Sequence, residues 1–375
     1  MPNSMKQNFD VDVLVVGGGP AGLAAAIAAR QHGLSVLVAD CATPPMDKAC
    51  GEGLMPDAQD ALQQLGLRIQ STETGIFHGI KFIGPEGAVL ARFPRGQGIG
   101  IRRTLLHQSL LEQAVSRGVK TAWGTRVCGL EDAGVRLGRQ VVRPRWLVGA
   151  DGQHSRVRNW AGLSLAREHT QRVGVRQHFR VEPLSDFVEI YWGAEGQAYV
   201  TPIGKKEICV ALISRKRFPT FDAGIAQFPE LAQHLQRAER STPVRGAISI
   251  SRSLKCVVRG RIALIGEASG SVDAITGEGL AMAFRQAQAL GRALAANHLS
   301  LYQAAHREIS NLPSFMAHSM LLMDKSSWVR QHALRAFARK PALFERLLSM
   351  HVGELSLRNF GIRGILNLGW QLLIA

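Results

Sequence analysis

Apolar and polar positions follow three rhythms along this chain. Residues 11–16, VDVLVV, are almost unbroken apolar sequence rich in β-branched valine, too short to span a membrane, and predict a buried strand. A glycine-rich break follows at 17–22, then an alanine-rich helical stretch closed by Gly33, then a second apolar run that ends on Asp40. Strand, turn, helix and strand make a βαβ unit. Further on, residues 56–67 have the spacing of a short amphipathic helix, 79–93 alternate like a hairpin, and 101–119 return to helical periodicity. Residues 120–150 are β-rich, 171–215 alternate like antiparallel strands, and 260–294 read as strand, polar glycine loop and helix. Beyond about residue 300 the rhythm is helical to the end, and no repeat of solenoid length appears.

Composition narrows the class. A hydrophobic fraction of 46% against 20% charged is that of a globular chain, and 375 residues suffice for one large domain or two intimately joined ones. The five cysteines are scattered, without a CxxC pair or histidines at ligand spacing, so neither a disulfide framework nor a metal site is expected. The first ten residues lack the apolar core of a signal peptide, and no apolar run reaches about 18 residues. A cytoplasmic setting is the expectation. The net charge of +16 raises nucleic acid as a partner, but the arginines are dispersed and carry no binding motif, so none is expected. An anionic cofactor, an acidic substrate or a membrane surface remain as reasons for the charge.

The glycine break fits G-x-G-x-x-G with Gly17, Gly19 and Gly22; Gly18 and Ala21 complete the turn. The first glycine permits the turn, the second lets backbone N–H groups approach a pyrophosphate, and the third lets helix pack on strand. Asp40, ending the second strand, suits an adenosine ribose hydroxyl. No second such motif sits between strand and helix, so a separate nicotinamide domain is not expected.

Two later segments, GADGQHSRVR at 149–158 and GEASGSVDAITGEGLAMA at 266–283, join the glycine motif in one pattern. With them the chain resembles flavoprotein monooxygenases of the para-hydroxybenzoate hydroxylase type and their relatives the geranylgeranyl reductases. The resemblance implies bound FAD and a transient NADPH or NADH. It implies that Arg103, at a helix start, approaches the cofactor, where a planar cation suits phosphate oxygens. It implies that Asp151 and Gly152 form the family's Asp-Gly turn near flavin and nicotinamide; as bare sequence, Asp-Gly before Ser155 is equally a turn that caps a helix. The family's Gly-Asp is here Gly266-Glu267, one methylene longer, so its contact with the ribityl chain is shifted or water-bridged. Gly277, Glu278 and Gly279 open a helix whose N–H groups stabilise electron density at the flavin's pyrimidine end.

The implied fold is α/β: a Rossmann-like FAD domain (9–75 with 96–165 and 255–300), an inserted β-rich substrate domain (76–95 with 166–254) and C-terminal helices (301–375). The implied activity is that of an FAD-dependent oxidoreductase on a hydrophobic small molecule. NAD(P)H-driven hydroxylation of a phenolic, polyketide-like or isoprenoid-derived compound is the first expectation, and saturation of an isoprenoid double bond the alternative. CGEGL at 50–54 and VDAITGEGL at 272–280 lean to the reductases, while Ala274 and Ala281 depart from reductase and hydroxylase patterns respectively. A flavin-binding protein without catalysis is the reading from another class. For proton handling the candidates are Cys50 and Glu52; a free cysteine is also commonly an inert buried residue, and a loop carboxylate commonly faces water. His154 and His178 qualify by type alone. Tyr191, Trp192 and Tyr199 are expected to line an apolar pocket. Cationic and apolar residues at helical spacing near the C-terminus allow peripheral contact with an anionic membrane, or simple packing across the domain. Oligomeric state is not legible.

Overall fold

The computed structural model describes residues 9–69, 73–164 and 166–355. The apolar runs near the start, at 144–149 and at 262–264 meet in one six-stranded sheet. Its strand Val11–Val16 lies parallel between Pro144–Gly149 and Val36–Ala39. Ile262–Leu264 and Lys120–Ala122 extend the parallel array on either side, and Val258–Arg259 closes one edge antiparallel. Val13, Leu14 and Val15 have no exposed surface, as parallel strands covered on both faces require. Helix Pro20–Gln31 buries every residue from Leu23 to Ala29, and its small alanines let helix Gly279–Ala295 pack closely against it. A three-stranded meander, Val127–Glu131, Gly134–Leu137 and Gln140–Val142, completes this α/β part.

The β-rich part is an eight-stranded sheet. Its backbone is the long strand Ala166–Arg180, paired antiparallel with Glu207–Ser214 on one side and Arg245–Leu254 on the other. Gly196–Gly204 and Val188–Trp192 follow in order. The hairpin expected at 79–93 forms as Gly79–Gly84 and Gly87–Arg92, and it joins the sheet through a parallel pairing with Val188–Trp192. Gly53–Leu54, Gly98–Ile101 and Thr74–Phe77 make a small fourth sheet. The helix expected from 101 therefore starts at Arg103, because Ile101 is held as the last residue of a strand.

Three helices, Leu299–Lys325, Ser327–Arg339 and Pro341–His351, cover one face of the large sheet. Phe344 packs on Phe82, ring centroids 4.6 Å apart, and stacks with Phe337 at 4.9 Å. Among the described residues no helix is long and apolar enough to cross a membrane. The apolar segment at 364–375 lies outside the described residues.

Candidate active site

One cavity of about 1030 Å³ runs from the glycine turn to the C-terminal helices. Its volume is at the upper end for a drug-sized ligand, roughly 300–1,000 Å³. Its walls change character along the way. The first reach is backbone and polar, from Gly17, Gly19, Asp40, Asp151 and Gly266; the last is apolar, between sheet residues such as Ile80, Phe82 and Ile190 and helix residues such as Met320, Ala333 and Phe344. The opening loop at 46–53 and the turn at 273–279 stand between them.

At the glycine turn each residue has a visible reason. A Cβ on Gly17, at φ +107°, would meet the Ala150 carbonyl at 2.3 Å, and one on Gly22 would meet the Gly17 carbonyl at 1.8 Å. Neither position has room for a side chain. Gly19 is different, because a Cβ there meets nothing within 4 Å and would project into the cavity. That clearance at a helix N-terminus fits a pyrophosphate. Asp40 accepts the Gly18 N–H at 2.7 Å and the Ala42 N–H at 2.8 Å, one on each oxygen, which leaves each a lone pair for a ribose hydroxyl. Trp123 lies on Gly18, His107 bonds the Gly18 carbonyl at 2.9 Å, and Ala21 packs under Gly266.

Arg103 lines the cavity, and its buried Nε has no hydrogen-bond partner within the protein. An orphaned guanidinium nitrogen there fits an anionic cofactor. Asp151 uses both carboxylate oxygens to cap helix Arg156–Trp160, accepting from the Ser155 hydroxyl at 2.5 Å and from the N–H groups of Arg156 and Val157. The capping reading of that turn thus holds, and Asp151 and Gly152 also line the cavity. Glu267 is bound to Lys48 at 2.7 Å, both half-exposed, in a bridge from the opening loop to the 266–269 turn. Gly277, at φ +70°, and Gly279 both have open space where a Cβ would stand.

Glu52 does not face water. It is 3% exposed at φ +60°, a strained backbone for any residue but glycine, and its surroundings hold it there. Its Oε1 accepts the Arg103 N–H at 2.9 Å and its Oε2 lies 2.6 Å from His178 Nε2. Arg176 Nη1 lies 3.2 Å from His178 Nδ1; an arginine only donates, so Nδ1 accepts and Nε2–H is turned to Glu52. Arg176 also pairs with Asp47, which ties the opening loop to the large sheet. Cys209, directly across from His178 in the sheet, completes a buried trio with Glu52. The Arg176 cation beside these groups opposes a metal ion there. Cys50 is half-buried; its Sγ accepts the Glu52 N–H at 3.4 Å and its carbonyl receives the Cys209 thiol. Burial pushes the Cys209 thiol well above its usual range, so it is inert. Glu52→Gln preserves volume and the Arg103 contact. It is expected to keep FAD and to cost about 1–3 kcal/mol, while turnover falls at least about tenfold. Turnover within about twofold of wild type would reduce the loop to packing.

Arg176 and His178 were within reach of the sequence. They share one face of a strand with Arg172, at period two, and polar residues on the inward face of a strand signal a built site. Arg172 meets Asp273 at 2.8 Å and Asp324 at 2.7 Å, all three buried, and so joins sheet, 273–279 turn and helix Leu299–Lys325. Of the three aromatics expected in the pocket only Tyr199 lines it, its hydroxyl bonded to the Ile275 carbonyl at 2.7 Å. Tyr191 is turned to the opposite face against Phe228, where it donates to Glu189, and Trp192 packs edge-on against Phe82. His154 lines the cavity.

An α/β frame whose glycine turn heads such a cavity is that of a dinucleotide-binding protein, and comparison with known families gives the class a name. The chain belongs to the FAD binding domain family, whose model matches residues 10–300. It is an FAD-dependent oxidoreductase of the monooxygenase and reductase superfamily. It is 29% identical over 303 residues to the menaquinone reductase of Mycolicibacterium smegmatis, covering 73% of each chain. To the digeranylgeranylglycerophospholipid reductase of Methanosarcina mazei it is 27% identical over 312 residues, 77% of this chain and 75% of the relative. The crystal structure of a flavoprotein/dehydrogenase from Cytophaga hutchinsonii superposes with a TM-score of 0.80 at 17% identity, over 96% of this chain and all of that one.

Proposed function

We propose that this flavoprotein, reduced by NADH or NADPH, saturates a carbon–carbon double bond in a small molecule with a long hydrocarbon part. The apolar reach of the cavity carries the reading. It is walled by residues of strands Gly79–Gly84, Val188–Trp192, Gly196–Gly204 and Glu207–Ser214 and by successive turns of three helices, and a hydrocarbon there leaves water at roughly 25 cal/mol per Å² buried. FAD would be held by Gly17, Gly18, Gly19, Ala21 and Gly22, with Asp40 at the ribose, Arg103 at phosphate oxygens, Asp151, Gly152, Gly266 and Glu267 along its length, and Gly277, Glu278 and Gly279 at the ring. Bound flavin supplies the hydride; the chain orients the substrate, excludes water and holds the proton. Glu52, braced by His178 and Arg176, and Cys50 stand where the polar and apolar reaches join and are the proton-handling groups of this reading.

Similarity along about three quarters of both chains to proteins named for reducing menaquinone and digeranylgeranylglycerophospholipid supports reduction, since both compounds carry polyprenyl chains. Hydroxylation, the first expectation from sequence, becomes the second reading, supported by Ala274 in place of the reductases' proline. The test supplies the yellow, FAD-loaded protein with NADPH or NADH and a polyprenylated quinone without oxygen. A product still heavier by two hydrogens after its quinone ring has been reoxidised in air is expected, whereas a gain that reoxidation removes would mean that only the ring had been reduced. A product formed only in air and heavier by one oxygen would replace this reading by the second. Protein that takes up no FAD would sink both.

Ile248 and Leu322 line the cavity and are 51% and 60% exposed, and the helix that carries Leu322 leads into Ser327–Arg339, which holds three arginines. On this reading these residues form a rim that meets an anionic membrane and draws substrate from it. Sedimentation with phosphatidylglycerol vesicles is expected to pellet the protein and Leu322→Asp to release it; equal pelleting of both would remove the rim from the contact.

A further inference from the structure

The turn at 273–279 carries, besides Asp273, a second buried acid, Glu278, which the proposed function sets at the ring without a proton-handling role. Glu278 is the N-cap residue of helix Gly279–Ala295, but its side chain does not cap the helix. It is turned inward and 2% exposed, and its Oε2 has no hydrogen-bond partner. Three charged or titratable groups face it, one from each of two helices packed against it and one from its own helix. His351, the last residue of helix Pro341–His351, puts an equally unpartnered Nδ1 at 3.7 Å. Asp57, from helix Pro56–Gln64, is buried with one oxygen unpartnered and the other bound to Arg285, which lies on Glu278's own helix. Two buried acids and one partly exposed arginine leave an excess negative charge if both acids ionise. Burial first and Asp57 second push Glu278 up to about 8, and burial also raises Asp57. Burial lowers His351, which is therefore no permanent counter-charge.

The position of this acid gives the pocket a consequence. The helix N-terminus that Glu278 precedes presents a partial positive charge to the cavity, which favours electron density on a ligand placed against Gly277 and Gly279. An ionised carboxylate at the same point would cancel that charge. We infer that Glu278 is a positioning residue for the flavin's electronics: kept neutral by its pocket, it leaves the helix N-terminus free to stabilise reduced FAD, and ionising it makes the flavin harder to reduce. This rests on FAD lying against the 277–279 turn, as in the proposed function. The balance is simple. Two electrons enter the flavin from the external donor, and where Glu278 has ionised, the added negative charge returns one proton from solvent to its carboxylate.

The midpoint potential of the FAD-loaded protein measured against pH tests this without reference to turnover. In wild type the slope is expected to steepen above about pH 8 by about 30 mV per pH unit, one proton per two electrons. Glu278→Gln, neutral at every pH and nearly isosteric, is expected to lose the break. Asp57→Asn removes the charge that raises Glu278 and is expected to move the break to lower pH, so the inference stays open to refutation if the first variant folds poorly. Superimposable curves for wild type and both variants would overturn it. Failure of the protein to bind FAD at all would instead count against the cofactor placement, and the two failures are distinguished by the colour of the purified protein.

Discussion

Gly19→Asp is expected to leave the apoprotein as stable as wild type, or slightly more so, and to abolish FAD uptake. Gly19 is the N-cap of helix Pro20–Gln31 with extended backbone, φ −69° and ψ 178°, which is the conformation and position where aspartate is a favoured cap. Its side chain would enter open space, so the fold pays nothing for it. The same side chain puts a carboxylate where the pyrophosphate is proposed to lie. Unit charges about 4 Å apart near a protein surface repel by about 4 kcal/mol, so the dissociation constant is expected to rise at least about a hundredfold. Gly22→Ala makes the opposite prediction. The new methyl would sit on the Gly17 carbonyl, a backbone group that cannot swing aside, and soluble protein is expected to fall sharply in yield and melting temperature. Cofactor content and thermal melting of the two variants check both. A yellow Gly19→Asp protein would move the pyrophosphate away from this turn.

Asp324→Ala is expected to be among the most damaging single changes outside the cofactor turn. Asp324 is 2% exposed and receives Arg172 on one oxygen and the Gln197 amide on the other. Truncating it leaves the Arg172 guanidinium held only by Asp273 and the Gln197 amide without its acceptor. Removing one partner of a buried ion pair costs about 3–5 kcal/mol. Asp324→Asn keeps an acceptor and is expected to cost less. Urea denaturation of the apoproteins measures both, and a loss below about 1 kcal/mol for the alanine variant would show that the network is as weak as a surface pair. Because Asp324 is one residue beyond Met323, the same change should loosen the helix that walls the apolar reach.

The α/β frame was legible because its signals are local. A valine run, three spaced glycines and a terminal acid each act within a few residues, and the structure assembles them as the mechanism of a dinucleotide turn requires. Asp151 shows the limit of that reading. An Asp-Gly-x-x-Ser string predicts both a cap and a cofactor turn, and only the backbone N–H groups of Arg156 and Val157 reveal how its oxygens are spent. Glu52 was legible as an acid between glycines, not as a buried one, because its partner His178 lies 126 residues away on a different sheet. The same holds for Arg172 and Asp324, 152 residues apart. Glu278 stood out through its glycine neighbours, whereas the fate of its carboxyl depends on helix Pro341–His351, which the sequence marks only as one more helical stretch. Burial of a polar group is a property of everything packed around it, and it has no signature at the residue itself.

The walls of the large cavity are drawn from Val16 near one end of the chain to His351 near the other. Filling it therefore cross-links segments that would otherwise separate on unfolding. A ligand that binds only the folded state adds about 4 kcal/mol when present at a thousand times its dissociation constant, a large share of the total stability of about 5–15 kcal/mol usual for a domain. The supply of FAD in a cell would then govern how much of this protein survives proteolysis as well as how much of it is active.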